Sequence, residues 1–121
     1  MIARTRLRRD GSSAAAARRF VADVLINRGY PHASVDQAVL ATSEVVTDAV
    51  VHGDSDIDLS VVADGGMARV EIQDGRTSIA GAWDGEHPEH QWRRRILDTC
   101  SQGWGVETLD AGLRVWFELR P

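Results

Sequence analysis

At 121 residues, with 43% hydrophobic and 26% charged residues, the chain reads as one globular domain, residues 1–121. Its net charge of −4 supplies no general attraction to nucleic acid or to an anionic membrane. Cys100 is the single cysteine, which excludes a disulfide framework and a thiolate metal cluster.

Residues 1–11 place Arg4, Arg6, Arg8 and Arg9 around Leu7. This suits a mobile basic arm or a short edge strand. The N-terminal region holds no apolar run of signal-peptide length, and no stretch is long and apolar enough to span a membrane. A cytoplasmic protein is therefore expected. Ser12 and Ser13 are N-cap candidates for a first helix reaching about Arg28, with Ala17, Phe20, Val21, Val24 and Leu25 as its apolar stripe. Gly29 and Pro31 end it. Ser34-Val-Asp-Gln37 reads as a capping box that opens a second helix, which runs to His52 and stops at a C′ glycine, Gly53.

The period then changes from 3.6 to 2. Ile57, Leu59 and Val61 alternate with polar residues, Asp64-Gly65-Gly66 makes a turn, and Ala68, Val70 and Ile72 return. Asp74-Gly75 closes that hairpin. An irregular stretch, residues 76–90, has the length of a functional lid. A third helix is expected over about Gln91 to Gln102, with Trp92, Ile96, Leu97 and Cys100 as its apolar face. Val106 to Leu109 and the alternating run Leu113, Val115, Phe117 and Leu119 form a second hairpin about Asp110-Ala-Gly112. Each strand has one apolar face, so the sheet is covered on one side only. The fold class is α+β, a two-layer α/β sandwich with a mostly antiparallel sheet.

The second helix carries an unusual feature. Glu44, Asp48 and His52 recur every four residues and therefore share one stripe of an otherwise apolar helix. A solvated acidic edge is one reading. The other joins the stripe to Asp74-Gly75 at a strand end: carboxylate oxygens suit Mg²⁺ held together with phosphate oxygens, and a glycine admits a flat base. His87-Pro-Glu-His90, with His52, raises a metal site, although no fourth ligand is evident from spacing. Arg93-Arg94-Arg95 is basic, but the acidic net charge and the lack of a DNA-reading motif speak against direct nucleic-acid binding. Trp116 stands with Arg114 and Glu118 on the polar face of the last strand. This is a candidate partner surface, or else a tryptophan partly covered by arginine stems.

Four segments carry a family resemblance. They are Leu40-Ala-Thr-Ser-Glu-Val-Val-Thr-Asp-Ala-Val-Val-His-Gly53, Val70-Glu-Ile-Gln-Asp-Gly75, Trp104-Gly-Val-Glu107 and Val115-Trp-Phe-Glu-Leu119. Together they resemble the ATP-binding domain of anti-sigma-factor serine kinases, small actinobacterial regulators above all, in the gyrase/histidine-kinase-like ATPase superfamily with its Bergerat fold. The resemblance implies a regulatory protein whose partner is a sigma factor or an anti-sigma-factor antagonist, with a homodimer as one oligomeric state. It implies ATP and Mg²⁺ as cofactors. Glu44 matches the general base, Asp74 the aspartate that binds the adenine amino group, and Gly75 the glycine lining the base. His52 and Gly53 match the end of the helix motif. Asp48 stands where the family has a metal-binding asparagine. The phosphate-binding Gly-x-Gly-Leu falls on Gln91-Trp92-Arg93-Arg94, where both glycines are gone. A carboxylate still serves Mg²⁺, whereas the lost glycines remove backbone donors for phosphate. Two functions follow as expectations: a partner-binding regulator with weak nucleotide binding, or an active Mg-ATP-dependent serine/threonine kinase acting on an antagonist protein.

Overall fold

Alternating apolar residues build the sheet. The computed structural model describes residues 2–77 and 82–121. Its strands are β1 (Ile2–Leu7), β2 (Ile57–Ala63), β3 (Ala68–Gly75), β4 (Gly103–Leu109) and β5 (Gly112–Leu119), and its helices are α1 (Ser13–Asn27), α2 (His32–His52) and α3 (Pro88–Cys100). The five strands are antiparallel in the order β1-β2-β3-β5-β4. Leu59, Val61, Val70, Ile72, Val115 and Phe117 are all buried, as the alternation requires. The three helices cover that face, with α2 touching both α1 and α3. The result is the expected two-layer α+β sandwich. None of the described helices is long and apolar enough to cross a membrane.

Local chemistry explains the element ends, and several differ from expectation. The basic N-terminal segment is an ordered edge strand, paired with β2 from Ile2↔Val62 to Leu7↔Ile57. Gly29, at φ 80°, ends α1: its N–H donates to Ile26 O at 3.0 Å, and the Tyr30 N–H donates to Leu25 O at 3.0 Å. This pair of bonds is a Schellman motif and satisfies two orphan carbonyls. Helix α2 begins at His32 after an extended Pro31, without a side-chain cap. Ser34, expected to cap it, lies buried inside the first turn instead. The fixed φ of Pro31, at the N-cap, sets the entry to the helix three residues earlier than a cap at Ser34 would. Helix α3 starts at Pro88, three residues before the expected Gln91, with proline at its first position. Its Trp92 is 54% exposed, so the apolar face is Leu97 and Cys100 with half-buried Ile96. Strand β4 starts at Gly103 rather than Val106. Gly105 is required there because a Cβ would lie 2.7 Å from the Trp116 indole nitrogen.

Gly53 also acts differently from expectation. Its φ of −78° is not left-handed. A Cβ at this position would meet Ala49 O at 2.5 Å and Asp74 Oδ2 at 2.8 Å. The glycine lets the end of α2 approach the end of β3, which brings the two acidic positions together.

Candidate functional site

Glu44, Asp48 and His52 line one stripe of α2, and the stripe faces the end of β3 and the start of α3. It is not a solvated edge. The Asp48 side chain is 1% exposed, against 24% for Glu44 and 39% for His52. A buried carboxylate needs a cation or several donors, and Asp48 has both. Arg76 Nη2 lies 2.5 Å from Asp48 Oδ2, and the Trp83 indole Nε1–H donates to the same oxygen at 3.1 Å. Arg93 Nη1 reaches Asp48 Oδ1 at 3.4 Å.

Arg76 also holds Asp74. Its Nε is 3.0 Å from both carboxylate oxygens, and its Nη2 is 2.9 Å from Oδ2. One buried guanidinium thus ties together the two acidic positions, on α2 and on β3. Burial pushes the Asp74 carboxyl above the ordinary range; the hydrogen bond and charge of Arg76 oppose this, and the charges of Asp48 and Asp54 reinforce it. Burial works against the charge on Arg76 as well, but its hydrogen bonds to Asp74 and Asp48 prevail and raise its pKa.

Trp83 closes the cluster. It is 2% exposed and adopts φ 61°, a left-handed conformation that costs a non-glycine residue about 1–2 kcal/mol. Its carbonyl accepts from Arg94 Nη1 at 2.8 Å, and its ring packs on Trp104 at 5.9 Å between centroids. These contacts and the bond to Asp48 hold it in place. The expected lid, residues 76–90, therefore contributes its first residue and Trp83 to the buried cluster; residues 78–81 of that lid lie outside the described residues.

The positions matched to nucleotide binding can be judged as a fit. Mg²⁺ and an adenine amino group would take oxygens of Asp48 and Asp74, and Arg76 engages both carboxylates. On its Cβ side Gly75 packs against Ser55: a Cβ there would meet Ser55 Oγ at 2.7 Å, and that hydroxyl accepts from the Gly75 N–H. Gln91 to Arg94 lie within α3, and the Gln91 N–H already donates to His87 O at 2.9 Å. With both carboxylates held by Arg76, the residues in this arrangement do not fit Mg-ATP. Arg76, paired with both Asp48 and Asp74, offsets the repulsion between those two carboxylates. Glu44 stands apart; among the described residues the cation that reaches it is Arg93, whose Nε is 3.6 Å away.

A cavity of about 640 Å³ opens at the end of β3, lined among others by Asp74, Gly75, Ser55, Gln73, Thr108 and Gly112. It holds none of the α2 stripe.

No family model matches the chain. No curated protein matches it either. Solved structures do. One that matches is the crystal structure of the RsbU and RsbW domains of Rv1364c from Mycobacterium tuberculosis, with a TM-score of 0.77 and 19% identity over 99% of this chain. The two share a fold. The match spans 32% of that longer chain.

Arg76, Trp83 and the burial of Arg93 escaped the sequence reading, which took Arg93 only as part of a basic run. A signal existed. Two carboxylates brought to one pocket demand a cation, and Arg76 follows Asp74 by two residues. The other predicted surface is where the register places it. Arg114, Trp116 and Glu118 all point to the uncovered side of the sheet and are half-buried. Arg69 lies 4.2 Å over the Trp116 ring, so an arginine does partly cover it.

Proposed function

We propose that this chain is a regulatory module of the anti-sigma-factor, serine-kinase-like group that acts by binding a protein partner, a sigma factor or an anti-sigma-factor antagonist, with nucleotide binding weak or lost. The observation that carries this reading is the Arg76 guanidinium lodged between Asp48 and Asp74. A nucleotide entering there has to displace a buried, doubly paired cation. The resemblance of four sequence segments to that group, and the fold shared with a structure that contains an RsbW domain, support the regulatory half. The uncovered sheet face, with Trp116 among arginines and glutamates, supplies the docking surface: aromatic and arginine side chains are those that anchor interfaces.

Calorimetry of the purified chain with Mg-ATP and Mg-ADP tests the nucleotide half. The expected result is no heat, or weak binding with the two nucleotides alike. Asp74→Asn abolishes any residual binding, because the adenine amino group then meets an amide in place of the carboxylate. Tight binding that favours ATP over ADP would overturn this reading and favour the active-kinase alternative, with Glu44 as base and Asp48 as metal ligand.

A further inference from the structure

Where the end of α2 meets the start of α3, two imidazoles and two carboxylates converge. His52 Nε2 is 3.0 Å from Glu89 Oε1 and 4.0 Å from Asp48 Oδ1. His90 Nε2 is 3.5 Å from the same Glu89 oxygen. Ligand atoms of Asp48, His52 and His90 lie within 4.8 Å of one another. With zinc–ligand bonds of about 2.0–2.1 Å, neighbouring ligand atoms of a tetrahedral site sit about 3.3 Å apart. The separations among Asp48, His52 and His90 bracket that value, so small side-chain rotations bring these three onto one ion, and Glu89, beside both imidazoles, offers the fourth ligand.

Three further observations point the same way. The His90 side chain is 9% exposed, and its Nδ1 has no hydrogen-bond partner among the described residues. That nitrogen faces Asp84 Oδ1 at 3.6 Å, the placement of a carboxylate that orients a metal-bound imidazole. The local charge is also unbalanced. Glu44, Asp48, Asp74, Asp84 and Glu89 bring five negative charges, and Arg76 and Arg93 return two positive ones, an excess that attracts a cation. Finally, Arg93 holds Asp48 loosely, at 3.4 Å, while its buried Nε has no hydrogen-bond partner among the described residues. An ion therefore competes with a poorly seated guanidinium for Asp48 Oδ1. The His52 side chain, 39% exposed, provides the route in.

We propose that Asp48, His52, Glu89 and His90 form a site for a divalent transition-metal ion, zinc by its nitrogen and oxygen donors, that pins the start of α3 to the end of α2. His87, the other histidine of the His87-Pro-Glu-His90 segment, packs edge-on against His90 at 5.5 Å and is not a ligand. Mg²⁺ does not suit a site half made of imidazoles. The proposal is independent of the nucleotide reading, since it needs neither ATP nor a partner.

The test is titration of the metal-stripped full chain with zinc chloride by calorimetry, with Co²⁺ as a spectroscopic substitute. The expected outcome is one zinc per chain, a thermal midpoint that rises with zinc, a tetrahedral Co²⁺ absorption band, and no response to Mg²⁺. His52→Ala and His90→Ala each weaken zinc binding at least tenfold. Asp84→Asn weakens it about tenfold, the effect of losing an orienting partner, and His87→Ala leaves it unchanged. His52 is partly exposed, so its variant tests the site without disturbing the core. Failure of the wild type to take up zinc, or undiminished uptake by His52→Ala, would overturn the proposal. Loss in His87→Ala with retention in His90→Ala would overturn the ligand set.

Discussion

The same three residue types, arginine, carboxylate and tryptophan, are assembled twice, once on each side of the sheet. On the helix side, Arg76 joins Asp48 and Asp74 beneath Trp83, with side chains 1–4% exposed. On the uncovered side, Arg69 and Arg114 meet Glu71, Glu107 and Glu118 around Trp116, with the charged side chains 31–43% exposed. The contact lists look alike and the energetics do not. Water screens the outer network and competes for every partner, so each pair contributes about 0–1 kcal/mol. In the inner one, loss of a partner strands a charge in a dry interior, which costs about 3–5 kcal/mol. Burial separates a cluster that fixes Arg76 and Trp83 in the interior from one left open to solvent.

The largest expected effect follows from this difference. Arg76→Ala leaves Asp48 and Asp74 facing each other without their shared cation, and chemical denaturation should show a loss of about 3–5 kcal/mol. Release of Trp83 would accompany it, read as a red shift in tryptophan fluorescence. A loss below about 1 kcal/mol would place the inner cluster with the outer one and erase the contrast.

Trp116→Ala is expected to cost about 2 kcal/mol or more in partner binding, with stability falling by less than its burial in a core would imply. A large drop in the thermal midpoint would make Trp116 structural instead. Arg114→Ala sharpens the comparison from the other side. It donates to Glu107 at 3.1 Å and to Gln73 at 3.1 Å, as many partners as Arg76 has carboxylates, yet its removal should change stability by less than about 1 kcal/mol.

The sheet was legible in the sequence because period-2 alternation is a direct consequence of a one-sided core. Leu59, Val70 and Val115 sit where that argument puts them. Helix ends were legible only where a single residue decides them, as at Gly29. Gly53 shows the limit: the residue type was informative, but the reason was a close approach to Asp74, a contact distant in sequence. Trp92 shows another. A helical wheel does not say that α3 starts three residues early and turns its tryptophan outward. In the candidate site, the acidic positions on α2 and β3 were visible as a pattern. Their arginine was not, because Arg76 lies in a stretch without periodicity and its role depends on which elements meet in space.

The smallest expected effect concerns titration. Asp64, in the β2–β3 turn, accepts from the Gly66 and Met67 N–H groups at 2.8 and 2.9 Å, and these bonds lower its pKa. Asp74 goes the other way, raised chiefly by burial. The signs for folding are therefore opposite. A lowered carboxyl lends stability that is present above its unfolded pKa of about 3.9 and is lost as pH falls through the lower folded value. A raised carboxyl binds its proton more tightly in the folded state. Its favourable contribution is present below the unfolded pKa and is lost as pH rises through the folded value. Carboxyl-carbon NMR across the acid range should find Asp64 titrating below the ordinary aspartate value and Asp74 above it. If Asp74 also titrates below, Arg76 outweighs desolvation. The inner cluster would then be a net source of stability at neutral pH rather than a buried charge merely kept tolerable, and the cost of Arg76→Ala should come out at the top of its expected range.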